Sequence, residues 1–109
     1  MQPMNLNVIF KALANPMRRQ ILAWLKRPDY YVSPVARTRV GATASEMQRL
    51  CGLAQSTVSA HLQILVRADL ITLTKVGQVS LYHRNEVTLN RLKEHAHQML
   101  YFVASQDVR

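Results

Sequence analysis

Three observations predict a mostly helical α+β fold. Residues 44–51 and 55–68 both carry apolar side chains at helical spacing, and only Gly52-Leu53-Ala54 separates them, which is the layout of a helix, a tight turn and a second helix. Directly afterwards the period drops from 3.6 residues to 2: Ile71-Thr72-Leu73-Thr74-Lys75-Val76 alternates, as does Gln78-Val79-Ser80-Leu81-Tyr82-His83, with Gly77 between them. That is the pattern of a β-hairpin. Apolar helical stripes also occupy both ends of the chain. Helix, turn, helix and hairpin in this order make a winged helix-turn-helix, with the terminal helices left to form a dimer interface.

The 109 residues suit one domain, 1–109, and 49% hydrophobic content supplies its core. Formal net charge is +8. An excess of that size favours a polyanionic partner, nucleic acid before an anionic membrane surface. The charge is uneven: residues 1–50 hold eight Lys/Arg against two Asp/Glu, whereas residues 51–109 hold six against four. The second helix of the motif is therefore polar rather than strongly basic, and phosphate grip has to come largely from elsewhere. One cysteine excludes an internal disulfide framework and an all-cysteine metal site, and suits a reducing cytoplasm. Met1-Gln2-Pro3-Met4-Asn5 lacks the charged head and apolar core of a signal peptide, and no apolar run is long enough to span a bilayer. No membrane partner and no cofactor are expected.

Each element has its own justification. The first helix spans residues 5–14, with Leu6, Ile9, Phe10 and Leu13 as its apolar face. Asn15 caps the second, residues 16–26, and Pro16 suits its first position; Met17, Ile21, Trp24 and Leu25 face inward. Arg18 and Arg19 sit in its first turn, where the helix dipole disfavours cations. They read equally as phosphate contacts and as solvated arginines. Residues 28–42 contain two prolines and a glycine and read as a long linker without helix. Arg37, Arg39 and Val40 there suit either a short strand or a mobile basic loop beside DNA. Thr43 with Glu46 matches a capping box for the helix at 44–51, with Met47, Leu50 and Cys51 inward and Gly52 at its left-handed stop. The motif then occupies 44–68 and the wing hairpin 71–84, with Lys75 and Gln78 beside its tip. Asn85 caps a final dimerisation helix at 86–104, whose stripe of Leu89, Leu92, Ala96, Met99 and Val103 ends in Leu100, Tyr101 and Phe102. So much apolar surface on a terminal helix calls for a partner, a second copy of the chain.

The helix at 55–68 carries the chemistry. Val58, Leu62, Leu65 and Val66 make its buried stripe, and Ser56, Ser59, Ala60, Gln63 and Arg67 the opposite face. No acid occurs between Gln55 and Ala68. Small polar side chains let a helix approach base edges, and an acid there would repel phosphate. Its cap position is Ala54, a poor capping residue, so Gln55 or Ser56 is expected to take that role.

The segments Phe10-Lys11-Ala12-Leu13-Ala14-Asn15-Pro16-Met17-Arg18-Arg19-Gln20-Ile21-Leu22 and Leu53-Ala54-Gln55-Ser56-Thr57-Val58-Ser59-Ala60-His61-Leu62, with Ala68-Asp69-Leu70-Ile71 and Val76-Gly77-Gln78, resemble the ArsR-type family of bacterial winged-helix repressors. The likeness spans roughly residues 5–100 apart from the 28–42 linker, which is longer than usual for such proteins. It implies a homodimer on a pseudo-palindromic operator in double-stranded DNA, released by an effector that the sequence does not identify. It also implies DNA contacts from Gln55, Ser56, Thr57, Ser59 and His61. Of these, Ser56 and Ser59 also follow from the helical wheel, while Thr57 and His61 rest on the family. Many members bind metals through a Cys-x-Cys pair before the recognition helix or through Asp-x-His and His-x-x-Glu/His sets on the last helix. Here the first helix reads Glu46-Met47-Gln48-Arg49-Leu50-Cys51, and the positions matching the second set are Glu86, Thr88, Met99 and Phe102, three of which are not usual zinc ligands. His95 and His97, two apart, point to different sides of a helix. No metal site is expected.

Cys51 reads first as a small apolar residue at a helix end, and second as a redox switch with Arg49 lowering its thiol pKa. No glycine loop for phosphates and no catalytic triad can be placed by spacing, so the chain is read as a regulator and not an enzyme. The alternatives are a non-specific basic nucleic-acid-binding protein and a winged-helix protein-interaction module.

Overall fold

The computed structural model describes residues 4–105. Its helices are α1 (Leu6–Leu13), α2 (Pro16–Lys26), α3 (Pro28–Tyr31), α4 (Ala44–Cys51), α5 (Gln55–Arg67) and α6 (Glu86–Ser105), and its strands are β1 (Ile71–Val76) and β2 (Val79–Arg84). A 3-10 turn, Pro34–Thr38, follows α3. The helix starts are local chemistry. The Asn5 and Asn15 side chains accept from the backbone N–H groups of Val8 and Arg18, at 3.2 and 3.1 Å. Thr43 and Glu46 close a capping box on α4.

The core joins Ile9 and Ala12 of α1, Ile21, Leu22 and Leu25 of α2, Met47 of α4, Val58, Leu62 and Leu65 of α5, Leu70, Ile71 and Leu92. One inward expectation needs correcting. Phe10 is exposed, while Ala12 is fully buried beside Ile9. In α2, Ile21 and Leu25 are buried as expected, Leu22 joins them, and half-buried Met17 and Trp24 pack against the core.

Residues 28–42 are not the irregular linker expected. The prolines that argued against helix stand at the first position of α3 and of the 3-10 turn, where a missing N–H costs nothing. Arg37 and Arg39 join no strand. Ala42 does, through a two-bond bridge to Tyr82: its N–H donates to the Tyr82 carbonyl at 2.9 Å, and the Tyr82 N–H donates back at 2.7 Å. The bridge ties the wing to the residue just before the α4 cap. Gly41 makes this approach possible. Its φ is +94°, and a Cβ there would lie 2.1 Å from the Tyr82 carbonyl oxygen.

β1 and β2 pair antiparallel from Ile71↔Arg84 to Val76↔Val79, around a tip of Gly77 and Gln78. Only Ile71 of β1 is buried, so the hairpin projects from the body. The end of α5 is a Schellman motif: Leu70 N–H donates to Leu65, and Asp69 N–H to Val66. Its left-handed position is Asp69, φ +63°, where glycine is usual. The carboxylate explains the exception. It accepts from the Thr88 hydroxyl at 2.9 Å and the Asn85 amide at 3.2 Å, which satisfies buried Thr88 and pins the start of α6 to the end of α5. From there α6 runs outward, and the molecule measures 58 × 28 × 25 Å.

Gly41→Ala is expected to destabilise the protein by about 2–4 kcal/mol, combining overpacking with a strained backbone. Gly77→Ala, which meets open space, should cost only about 1 kcal/mol for its positive φ. Urea unfolding of both variants measures the difference.

Candidate nucleic-acid interface

α5 buries Val58, Leu62 and Leu65 almost completely. Its other side exposes Gln55, Ser56, Thr57, Ser59, Ala60, Gln63 and Arg67. The amphipathic pattern thus places the five residues Gln55, Ser56, Thr57, Ser59 and Gln63 on the outside of the helix. The expected cap does not form: α5 has no side-chain cap hydrogen bond. Ala54 offers no oxygen, and neither Gln55 nor Ser56 folds back to replace it. The first backbone N–H groups of α5 therefore point outward without an intrahelical acceptor, in a stretch where Ala54 to Thr57 are all exposed. Backbone N–H groups of this kind, at the positive end of the helix dipole, attract phosphate.

His61 lies elsewhere on the helix, half-buried. Its Nδ1 is 3.2 Å from an Arg18 Nη1. Arg18 is held on two further sides, its Nε donating to the Ala12 carbonyl at 2.6 Å and its Nη2 to the Lys11 carbonyl at 3.0 Å. Arg19 donates to the Leu13 carbonyl at 2.6 Å. The two arginines, which the sequence left as phosphate contacts or solvated side chains, thus cover carbonyls at the end of α1. Cations are favourable there, which offsets their place at the start of α2. Arg18 is half-buried and Arg19 exposed. The spacing from Arg18 back to Lys11 and Ala12 was the only trace of this arrangement in the sequence, and it has no standard pattern.

The wing carries Lys75, exposed and paired in register with Ser80, and Gln78, exposed at the tip. Thr74 Oγ1 and His83 Nε2 lie 2.9 Å apart and tie the strands together. Behind the motif, Arg39 pairs with Glu46, and the Thr43 N–H donates to the same carboxylate at 2.9 Å. The one acid of α4 is thereby neutralised and kept off the exposed face of α5. Burial works against ionisation of Glu46, but Arg39 and Thr43 outweigh it and hold the carboxyl below its usual range.

Cys51 is half-buried, and burial pushes its thiol above the ordinary value. The expected lowering by Arg49 is corrected: the Arg49 guanidinium donates to the Val32 carbonyl at 3.3 Å. A less ionised thiol is a poorer redox switch. His95 and His97 are both exposed on α6, and among the described residues no three His, Cys, Asp or Glu side chains converge. Among the same residues, no helix is long and apolar enough to cross a membrane.

A helix-turn-helix domain family model matches residues 13–74. The HTH-type transcriptional regulator YbzH of Bacillus subtilis (strain 168) is 37% identical over 89 residues, covering 79% of this chain and 89% of that protein. The transcriptional repressor SdpR of the same organism is 29% identical over 102 residues, covering 94% and 97%. Among solved structures, an ArsR family transcriptional regulator superposes with a TM-score of 0.70 at 24% identity, covering 94% of this chain and 93% of that one. The homodimeric winged helix-turn-helix DNA-binding domain of a possible ArsR-family regulator from Mycobacterium bovis superposes at 0.61 and 24% identity, covering 95% and 82%. These two structures share the fold of this chain.

Two acid-linked losses of stability are expected. Burial first, and then the Arg18 charge, hold His61 below its ordinary value of 6.5. The unfolded chain therefore takes the proton first, and stability declines as pH falls from about 6.5 towards the lowered folded value. Glu46 contributes stability above its unfolded value of about 4.5 and loses it as pH falls through the lower folded value. In urea titrations between pH 7.5 and pH 3.5, His61→Gln should remove the upper decline. Glu46→Gln should remove the lower one and cost about 1 kcal/mol at pH 7 through the lost charge opposite Arg39, since a glutamine oxygen can still accept from the Thr43 N–H. A parental curve flat between pH 7 and pH 5 would contradict the placement of His61.

Proposed function

Because the chain belongs to the helix-turn-helix family of transcriptional regulators and has the ArsR-type winged fold, we propose that it is a dimeric, sequence-specific repressor. Its ligand is double-stranded DNA bearing a pseudo-palindromic operator. The observation that carries this reading is the start of α5: exposed, free of acids and without a side-chain cap. A surface helix with no role in recognition would be expected to carry Glu and Lys, and nothing in the core requires Gln55, Ser56 or Ser59.

In this reading Gln55, Ser56 and Ser59 meet base edges in the major groove, with Thr57 and Gln63 beside them and the α5 N–H groups on the adjacent phosphate. Arg19 and Lys75 grip the backbone on either side, and Gln78 reaches it from the wing tip. The role is binding and regulation rather than catalysis, exercised in the cytoplasm, where the DNA lies. Dimerisation is supported by α6. Met99 to Val103 are all exposed, with Tyr101 at 70% and Phe102 at 63%, on a helix that leaves the body of the protein. Apolar surface of that kind is expected to be covered. A twofold pair of wings and recognition helices then matches half-sites one helical turn apart. SdpR, named a repressor, and the homodimeric mycobacterial domain support the two finer points.

Selection of bound sequences from a random duplex pool should return an inverted repeat; an unordered set with only a steep salt dependence would indicate a non-specific binder. On the selected site, Gln55→Ala should lose about 1–3 kcal/mol of discrimination at one position per half-site, whereas Lys75→Ala should weaken all sequences alike and lower the salt slope by about 1 per wing. Phe102→Glu should shift the protein to a monomer in sedimentation and reduce operator affinity, with the far-ultraviolet spectrum unchanged.

A further inference from the structure

We infer that Arg18 is a positioning residue for DNA recognition and not a phosphate contact: it fixes the His61 imidazole so that α5 offers a single N–H donor, at Nε2, to an acceptor on the duplex. This rests on the DNA-binding reading above.

The argument starts from donors and acceptors. A guanidinium has only donors and does not lose its proton. Arg18 uses Nε on the Ala12 carbonyl, Nη2 on the Lys11 carbonyl and Nη1 on His61 Nδ1. The last contact requires a bare lone pair on Nδ1, so the ring is neutral and its proton sits on Nε2. A histidine without such a neighbour exchanges between tautomers and titrates near neutrality. Arg18 is the charged group that bears on this ring, and its charge acts with burial to disfavour the imidazolium.

The consequence for recognition is selective. Nε2–H donates and cannot accept, so His61 matches a phosphate oxygen, guanine O6 or N7, adenine N7 or thymine O4, and rejects the amino groups of adenine and cytosine. His61 follows exposed Thr57 by one helical turn, so it borders the proposed reading surface. Arg18 meanwhile is bonded at three points among α1, α2 and α5. Reaching a phosphate would uncover the α1 carbonyls and release His61. Arg19, its neighbour, is exposed and remains the candidate for the backbone.

Two measurements test this. In the first, long-range proton–nitrogen correlation spectra of labelled free protein report the His61 tautomer. The Nε2–H form is expected in the parent and in Arg18→Lys, which keeps a donor, and a tautomer mixture is expected in Arg18→Ala. An Nδ1–H form in the parent would overturn the inference. In the second, Arg18→Ala and His61→Ala are combined in a double-mutant cycle on the selected operator. Arg18→Ala should lose at least about fivefold in affinity in the parent and almost nothing in the His61→Ala background, with an unchanged salt slope. Equal losses in both backgrounds with a reduced salt slope would make Arg18 a phosphate contact and overturn the inference. If Arg18→Ala does not fold, the cycle is run with Arg18→Lys. That variant should keep affinity within about twofold, and a loss beyond twofold, equal in both His61 backgrounds, overturns it. If the pool returns no bound sequence, the functional reading itself fails and takes the recognition role with it. If it returns an operator while the tautomer is wrong, only the inference about Arg18 fails.

Discussion

Burial of Val58, Leu62 and Leu65 determines which way α5 faces. These side chains pack into a core built from α2, α4 and the base of the hairpin. Once they are inside, 100° of rotation per residue leaves Gln55, Ser56, Ser59 and Gln63 no position but the surface. The orientation needs no specific polar contact on the exposed side. That side is consequently free to carry small, uncharged groups that would be poor choices for stability alone, since Ser and Thr are weak helix formers.

What the polar interactions do is hold the C-terminal end of that helix and the elements beside it. The Thr43–Glu46 box and Arg39 secure α4. The Ala42–Tyr82 bridge joins the wing to the start of α4. Asp69 closes α5 and reaches Thr88 and Asn85 at the start of α6. Arg84 binds the wing to α2 through the Leu22 carbonyl at 3.2 Å and pairs with Glu86. Wing, recognition helix and terminal helix are therefore tied to one another at short range. A rigid frame of this kind is what a reader of base edges needs, because hydrogen-bond geometry at a groove tolerates little displacement.

The electrostatic division of labour follows the same layout. In the proposed complex the reading surface is nearly neutral, and the cations stand around it. Neutral donors and acceptors discriminate between bases, whereas cations bind every phosphate alike. The α1 carbonyls draw Arg18 and Arg19 inward to different degrees, leaving Arg18 half-buried and Arg19 exposed. α6 contributes by symmetry: its exposed apolar end supports a second copy, and two copies double the surface offered to DNA without adding charge to the reading helix.

Much of this was legible in the chain. Helical spacing, the alternation of β1 and β2, the Thr43–Glu46 box and the stops at Gly52 and Gly77 are local signals, governed by backbone sterics and by side chains within four residues of each other. They determined the element order and the exposed face of α5. Tertiary structure alone decided the rest. Pro28 and Pro34 were read as helix breakers, yet each starts a helical turn, because the effect of proline depends on the position it occupies. Gly41 gave no local sign that its missing Cβ makes room for the Tyr82 carbonyl. The bond between Arg18 and His61 spans 43 residues, and Asp69 reaches across 19 to Thr88. Sequence periodicity reports which side of an element is buried, but not which distant group an exposed or half-buried polar side chain will meet. That depends on how the elements pack, and so the partners of Arg18 and Asp69 could be read only from the folded chain.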